Sequence, residues 1–284
     1  MKSEYILTLS CPDRVGIVHA VSGFLAGQNC NINTSHQYGD PESKLFFMRV
    51  SFKPEQGAPE EVHLLQRFDP IAQKFSIDWR LHLASARPRV LIMVSKQGHC
   101  LHDLLYRTQT GELPMNIVGI ASNHQQFQAL AKWHDIRYYY LPVTPTTKVD
   151  QEQSLKNIIE RDQVDLVILA RYMQILSPNL CDDLYGRCIN IHHSFLPSFS
   201  GARPYYQAHA HGVKLIGATA HYVTANLDEG PIIEQGVERV DHSHTPEDLA
   251  SIGRDIESLV LARAVKYHIE HRILINGNKT VVLR

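Results

Sequence analysis

RCINIHHSFLPSFSGARPYYQAHAHGVKLIGATAHYVTANLDEGPIIEQ, residues 187–235, opens on a short apolar strand whose last members are polar. Side chains alternate across a strand, so Asn190 and His192 share one face while Ile189 and Ile191 share the other. A strand that ends in Asn and His and runs into a Pro/Gly/Ser loop presents polar groups at a sheet's carboxyl edge. Open α/β sheets hold their ligands there. Two further strands are predicted at 215–223 and 231–240. Their connection, Thr224-Ala225-Asn226-Leu227-Asp228-Glu229-Gly230, sets an acid beside a glycine. Taken singly, Asn190 and His192 also fit buried groups that satisfy the backbone at a strand end, and Asp228 fits a turn.

Upstream, RVLIMVS at 89–95 is a continuous apolar run, as in a strand buried on both faces. Strands at 116–122, 136–141 and 165–170 alternate with helical stretches from 101, over 125–133 and over 150–162. That alternation predicts an open, mostly parallel, Rossmann-like sheet with right-handed crossovers. Downstream, Thr245-Pro246-Glu247-Asp248 supplies an N-cap, a first-turn proline and acids for the positive end of a helix running to about residue 271. A last strand or hairpin surrounds Asn276-Gly277-Asn278.

The first 86 residues have a different rhythm. Strands are expected at 4–11, 31–38, 44–52 and 77–83. One helix is expected to start at Asp13 as its N-cap and bury Val15, Val18, Val21 and Leu25. A second, over 59–75, is expected to bury Val62, Leu65, Phe68 and Ile71. The order βαββαβ is that of a ferredoxin-like unit. Ala84-Ser85-Ala86-Arg87-Pro88 reads as a hinge, so the α/β chain divides into 1–86 and 87–284.

The formal net charge is −1 and the chain has no basic stripe, which gives a nucleic-acid partner no electrostatic footing. No run approaches the roughly 18–20 apolar residues of a membrane span. The N-terminus meets polar residues too early for a signal peptide. Five scattered cysteines suit reduced thiols and a cytoplasmic setting rather than a disulfide framework. The 17 histidines show no metal-ligand spacing, so no metal is expected and most are read as surface residues. His192 and His193, adjacent in sequence, are expected on opposite strand faces.

The N-x-H of Asn190 and His192, the S-x-L-P of Ser194–Pro197 and the L-D-x-G-P of 227–231 resemble, in order and spacing, the signature of the folate-dependent formyltransferase family. The resemblance implies that Asn190, His192 and Asp228 form the catalytic trio. Asp228 would either deprotonate an attacking water or hold His192 charged and oriented. It also implies 10-formyltetrahydrofolate as substrate, with no cofactor. The segment 169–178 resembles the family's pterin-holding loop, which assigns folate binding to Met173, Gln174, Ile175 and Leu176, with Thr224 and Asn226 added from the Asp228 loop. Two positions depart from that loop: Arg171 stands where the family often has Gly, and Gln174 where it often has Arg. Without the family, Met173 and Ile175 read as core. The loop 95–101 occupies the place of a phosphate-binding loop in some members, but it has only Gly98 and reads as a surface loop.

Cys11-Pro12-Asp13-Arg14-Val15-Gly16-Ile17 closely resembles the D-R-x-G signature of ACT domains. That implies a homo-oligomer, dimer or tetramer, and an amino-acid effector at Asp13, Arg14 and Gly16. A plain assembly unit that binds nothing is the other reading. An ACT-like unit ahead of this catalytic unit is similar to the family's hydrolytic branch, in which water takes the formyl group. The alternatives are a glycinamide ribonucleotide formyltransferase with a regulatory domain, and a non-catalytic amino-acid or folate sensor.

Overall fold

A computed structural model describes residues 3–196 and 204–284, so Pro197 of the S-x-L-P motif lies outside the described residues. The chain divides into two compact units, one of Met1–Ala86 with Glu270–Arg284 and one of Arg87–Ile269.

The first unit runs β1 (Tyr5–Pro12), α1 (Ile17–Gly27), β2 (Cys30–Asp40), β3 (Leu45–Pro54), α2 (Glu61–Phe75) and β4 (Asp78–Leu83). This is the expected βαββαβ order. Its antiparallel sheet has the order β2-β3-β1-β4, which sets β3 and β4 on either side of β1. The start of α1 differs from expectation. β1 keeps pairing as far as Pro12 opposite Leu45, and the Asp13 N–H donates to the Lys44 carbonyl, so Asp13 ends a strand and caps nothing. Gly16 is the cap instead, at φ 99°, a conformation that costs other residues strain. The helix phase shifts with it. Ile17, Val21 and Leu25 face the core, Val15 is fully exposed and Val18 is exposed. In α2 the buried face is Leu64, Phe68, Ala72 and Phe75, with Val62 exposed. Phe68 and Phe75 are the largest apolar groups available, and they set the phase against Phe24, Trp79 and the sheet.

The second unit runs β5 (Arg89–Val94), α3 (His99–Gln109), β6 (Asn116–Ser122), α4 (Gln128–Trp133), β7 (Tyr138–Tyr140), α5 (Lys148–Arg161), β8 (Leu166–Leu169), α6 (Pro178–Asp183), β9 (Cys188–His192), α7 (Pro204–Ala210), β10 (Leu215–Tyr222), β11 (Ile232–Arg239) and α8 (Pro246–Ile269). The sheet order is β11-β10-β9-β8-β5-β6-β7. Strands β5 to β9 pair in parallel, and β10 and β11 add an antiparallel flank. From β5 the chain winds one way through β6 and β7, then returns to β8 and β9 on the other side. The carboxyl ends of β5 and β8 therefore flank the switch point, where ligands of open α/β sheets bind. Leu155, Ile158, Ile159 and Leu180 from α5 and α6 cover one face. The short helix α6 was not expected, although Ser177 accepts from the Leu180 N–H as its N-cap and Pro178 begins it. For α8 the expected cap holds: the Thr245 hydroxyl accepts from the Asp248 N–H, and Asp248 accepts from the Thr245 N–H.

After α8 the chain returns to the first unit. The hairpin β12 (Ile273–Asn276) and β13 (Lys279–Val282) corrects the expected single boundary, because residues 270–284 do not continue the second unit. The reason is polar. Arg49, buried in β3, donates through Nε and Nη2 to the Glu270 carbonyl at 3.1 and 3.0 Å. Asn276 donates to Asp40 at 2.7 Å, and Lys279 pairs with Glu42. All five cysteines are free and buried. Among the described residues no helix is long and apolar enough to cross a membrane.

Candidate active site

Antiparallel pairing of β9 with β10 sets His221 opposite Asn190 and Thr219 opposite His192. Four polar side chains thus share one patch at the end of an otherwise apolar strand pair. Thr219, fully buried, donates to the Ser194 carbonyl at 3.0 Å and accepts from the Leu196 N–H and from Gln235, which fixes the chain leaving β9. His221, also buried, has Nδ1 against the Tyr222 carbonyl at 2.9 Å. A carbonyl only accepts, so Nδ1 carries the proton and Nε2 accepts from the Asn190 amide at 3.2 Å. That bond fixes which way the amide faces and leaves its second hydrogen unused.

Asp228 arrives from the β10–β11 connection. Thr224 donates to the Asn226 carbonyl, and the Asn226 amide donates to Glu229, closing the turn. Gly230 is required there because a Cβ would lie 1.7 Å from the Tyr222 carbonyl oxygen. Asp228 itself adopts φ 57°, which Asp and Asn tolerate better than most residues. Its Oδ2 accepts from His192 Nδ1 at 3.2 Å, and Oδ1 lies 3.5 Å from His221 Nε2. Burial alone would raise the Asp228 carboxyl. The contact with His192 outweighs it and holds the group well below the usual carboxylate range. The three expected catalytic residues therefore meet, with the carboxylate facing two imidazoles. His192 Nε2 is left on the opposite side of its ring from that contact.

The loop after β8 hangs between strand ends. The Ser95 N–H donates to the Arg171 carbonyl, and Ser95 Oγ accepts from the Met173 N–H at 2.9 Å while donating to Asn123 at 2.8 Å. Of the four residues of this loop expected to hold folate, Leu176 is buried and Gln174 is half-buried. Met173 and Ile175 are 57% and 60% exposed, so they are not core residues. Two large apolar side chains held out at a sheet's switch point form an apolar seat.

The loop 95–101 is not the surface loop expected. Gln97 accepts from Arg171 Nε at 3.0 Å, and His99 Nε2 lies 2.6 Å from Glu257 of α8. Glu257 also accepts from the Tyr205 hydroxyl at 2.8 Å and faces Arg171 Nε at 3.4 Å, with 1% of its side chain exposed. Burial opposes ionisation of Glu257, but His99, Arg171 and Tyr205 lower it on balance. Arg171 sits at φ 63°, a left-handed backbone that glycine adopts freely. Its side chain is kept there by this ion pair. His99, Cys100 and Glu257 place ligand atoms within 4.8 Å of one another. The group does not fit a cation: its carboxylate is already taken by three donors, one of them a guanidinium, and burial raises the Cys100 thiol strongly.

Several histidines differ from expectation. Only His19, His63, His102, His209, His211 and His242 are exposed; the rest are partly or fully buried. His193 does not point away from His192, because β9 ends at His192 and the chain bends. The two rings lie 4.9 Å apart, tilted by 30°. Neither His221 nor His99 was singled out from the sequence. For His221 there was a signal: Thr219 and His221 interrupt an apolar strand with the same two-residue spacing as Asn190 and His192.

In the first unit, Asp13 and Arg14 are exposed at the start of α1. The Arg14 guanidinium packs 4.7 Å from the centre of the Phe75 ring and donates to the Lys74 carbonyl. A separate groove of this unit is lined by Val18, residues 35–38 and residues 280–284.

Fold and site together define a formyl transferase catalytic domain with an ACT domain ahead of it: the Formyl transferase family model matches residues 88–265 and the ACT domain model residues 5–62. Formyltetrahydrofolate deformylase of Corynebacterium sp. (strain P-1) is 48% identical over 99% of this chain and 98% of its own. The crystal structure of formyltetrahydrofolate deformylase from Burkholderia mallei superposes with a TM-score of 0.95 at 52% identity, covering 99% of this chain and 100% of that one. The chain belongs to the formyltetrahydrofolate deformylase family. Glycinamide ribonucleotide transformylase 1 from Symbiobacterium toebii is more distant, at 29% identity and a TM-score of 0.65. It covers 70% of this chain and 95% of that one.

Proposed function

We propose that the chain hydrolyses 10-formyltetrahydrofolate to formate and tetrahydrofolate. The observation that carries this reading is the convergence of Asn190, His192 and Asp228 in a chain aligned end to end with deformylases. Attack of water on the formyl carbon makes a tetrahedral oxyanion. The unused amide hydrogen of Asn190 and the Nε2–H of His192 stabilise that oxygen, and donors prearranged where charge develops are commonly the largest catalytic contribution. Asp228 orients His192 and balances its charge. A carboxyl held so far below its usual range is a poor proton acceptor, which favours this role over deprotonation of the water.

Met173, Gln174, Ile175 and Leu176 seat the pterin, and Thr224 and Asn226 shape the turn beside it. Amide hydrolysis changes no oxidation state, so the reaction draws on no redox cofactor. The formate is a one-carbon unit for purine synthesis, in a cytoplasmic setting. To test this, the purified chain is incubated with 10-formyltetrahydrofolate and no amine. We expect equal amounts of formate and tetrahydrofolate. Turnover only after glycinamide ribonucleotide is added would replace hydrolysis with transfer.

The first unit, in the same reading, assembles the chain into a dimer or tetramer and takes an amino acid at Asp13, Arg14 and Gly16. A ligand shifts activity only through unequal affinity for two states, typically by roughly 5–150-fold. Titrating amino acids into the intact enzyme is expected to change kcat/KM within that range. Gly16→Ala, strained at φ 99°, is expected to remove the response. Indifference to every amino acid would leave the unit with assembly alone.

A further inference from the structure

With Asp228 engaged by His192, the proton lost by the attacking water needs another acceptor. We propose that His193 is that acceptor, a general base beside the oxyanion-stabilising pair Asn190 and His192. The inference rests on the hydrolytic reading above and deepens it by naming the group that activates water.

Three observations support His193. Its ring stands 4.9 Å from that of His192, where the chain turns off β9, so one small reacting group can touch both rings. Among the described residues no hydrogen bond engages either of its ring nitrogens, although the side chain is only half-buried and is flanked by polar groups. The charges around it also favour the neutral ring. Burial comes first, then Arg171 from the β8 loop and His192 from β9. Together they outweigh Glu257 of α8 and Asp228 of the β10–β11 loop, and lower His193 to about 4. An imidazole so placed is unprotonated at neutral pH. Its basicity is that of a carboxylate, yet it adds no negative charge beside a developing oxyanion.

Arg171 acts here as a positioning residue. Buried in a left-handed backbone and fixed by Gln97 and Glu257, it holds a cation behind His193. His99 and Tyr205 fix Glu257 in turn, which explains why the loop 95–101 folds inward.

The step balances as follows. A water lone pair forms the new C–O bond, one water proton passes to a ring nitrogen of His193, and the carbonyl π pair moves onto the oxygen held by Asn190 and His192. Collapse re-forms the carbonyl and breaks the C–N10 bond with its electron pair on nitrogen, which takes the proton back from His193. Formic acid leaves and ionises in solvent, the other product is tetrahydrofolate, and His193 is again neutral.

The test compares wild type, His193→Ala and His193→Gln for formate release, tetrahydrofolate affinity, and rescue by added imidazole. General-base catalysis typically contributes 100–10,000-fold, so kcat is expected to fall by at least about 100-fold in both variants, with tetrahydrofolate affinity within about twofold. Added imidazole is expected to restore part of the rate to the alanine variant as its free-base concentration rises. A kcat within about threefold of wild type in either folded variant overturns the proposal, as does a lost rate that imidazole leaves untouched. If the alanine variant does not fold, the glutamine variant decides: a large fall in kcat with intact affinity supports His193, and a retained kcat removes it. Wild type that releases no formate without an amine defeats the hydrolytic reading before any variant is compared. A working wild type with unaffected variants removes His193 alone.

Discussion

Asp228→Asn is expected to fold and bind folate normally while losing about 1,000-fold in kcat, at the upper end of the range for loss of one oxyanion-stabilising interaction. The turn survives because Asn, like Asp, tolerates the φ of 57° at this position, and Gly230 still permits the close approach to Tyr222. What is lost is the negative charge facing His192 at 3.2 Å and His221 at 3.5 Å. Without it His192 has no counter-charge for the moment when it donates to the oxyanion, and an amide hydrogen can turn toward a ring nitrogen and misalign it. The loss should therefore appear in kcat, with the tetrahydrofolate dissociation constant unchanged, because the interaction strengthens only as charge develops. Steady-state formate release, circular dichroism and a binding titration decide it. Near-wild-type turnover in a folded Asp228→Asn protein would take the residue out of the mechanism.

Glu257→Ala is expected to cost about 3–5 kcal/mol of stability, because removing one member of a buried ion pair strands the other charge. The stranded charge is Arg171, 7% exposed, which among the described residues keeps only Gln97 as an acceptor. His99 and Tyr205 lose a partner in the same step, each of them partly buried. Chemical denaturation monitored by circular dichroism measures this directly. Replacing both charges in Arg171→Met/Glu257→Leu is expected to recover much of the loss, since apolar replacement of a whole buried pair is often neutral. Methionine is unbranched at Cβ and suits the left-handed backbone at 171 better than valine or isoleucine would. A Glu257→Ala protein as stable as wild type would show that Arg171 finds water or another acceptor.

Much of the fold could be read from the sequence because the signals are local. Period-two strands, apolar parallel strands and the Thr245-Pro246 helix start depend on neighbours a few residues away, and each lies within a few residues of its observed place. Asn190, His192 and Asp228 were legible as a set through the resemblance of their motifs to a known signature, since singly each also fits a strand end or a turn. The errors share a cause too. Helix phase at α1 followed how far β1 continued to pair and where Gly16 turned, and the phase at α2 followed which aromatic rings fitted the sheet. Neither is written in the local pattern of valines.

Other features depended on tertiary structure alone. The hairpin at 273–282 belongs to the first unit because Arg49, Asp40 and Glu42, more than two hundred residues upstream, offer it partners. His221 joins the site through cross-strand register with Asn190, and His193 joins it because β9 ends one residue earlier. Arg171, Tyr205, Glu257 and the pair Gln97 and His99 come from four separate segments, and no spacing in the sequence ties those segments together. A buried charge is tolerable only where its partners converge in space. The sequence by itself therefore determined the elements and set Asn190 and His192 on one strand face, whereas the charges around His193 were decided by the packing of α8 and the loop 95–101 against the β8 end.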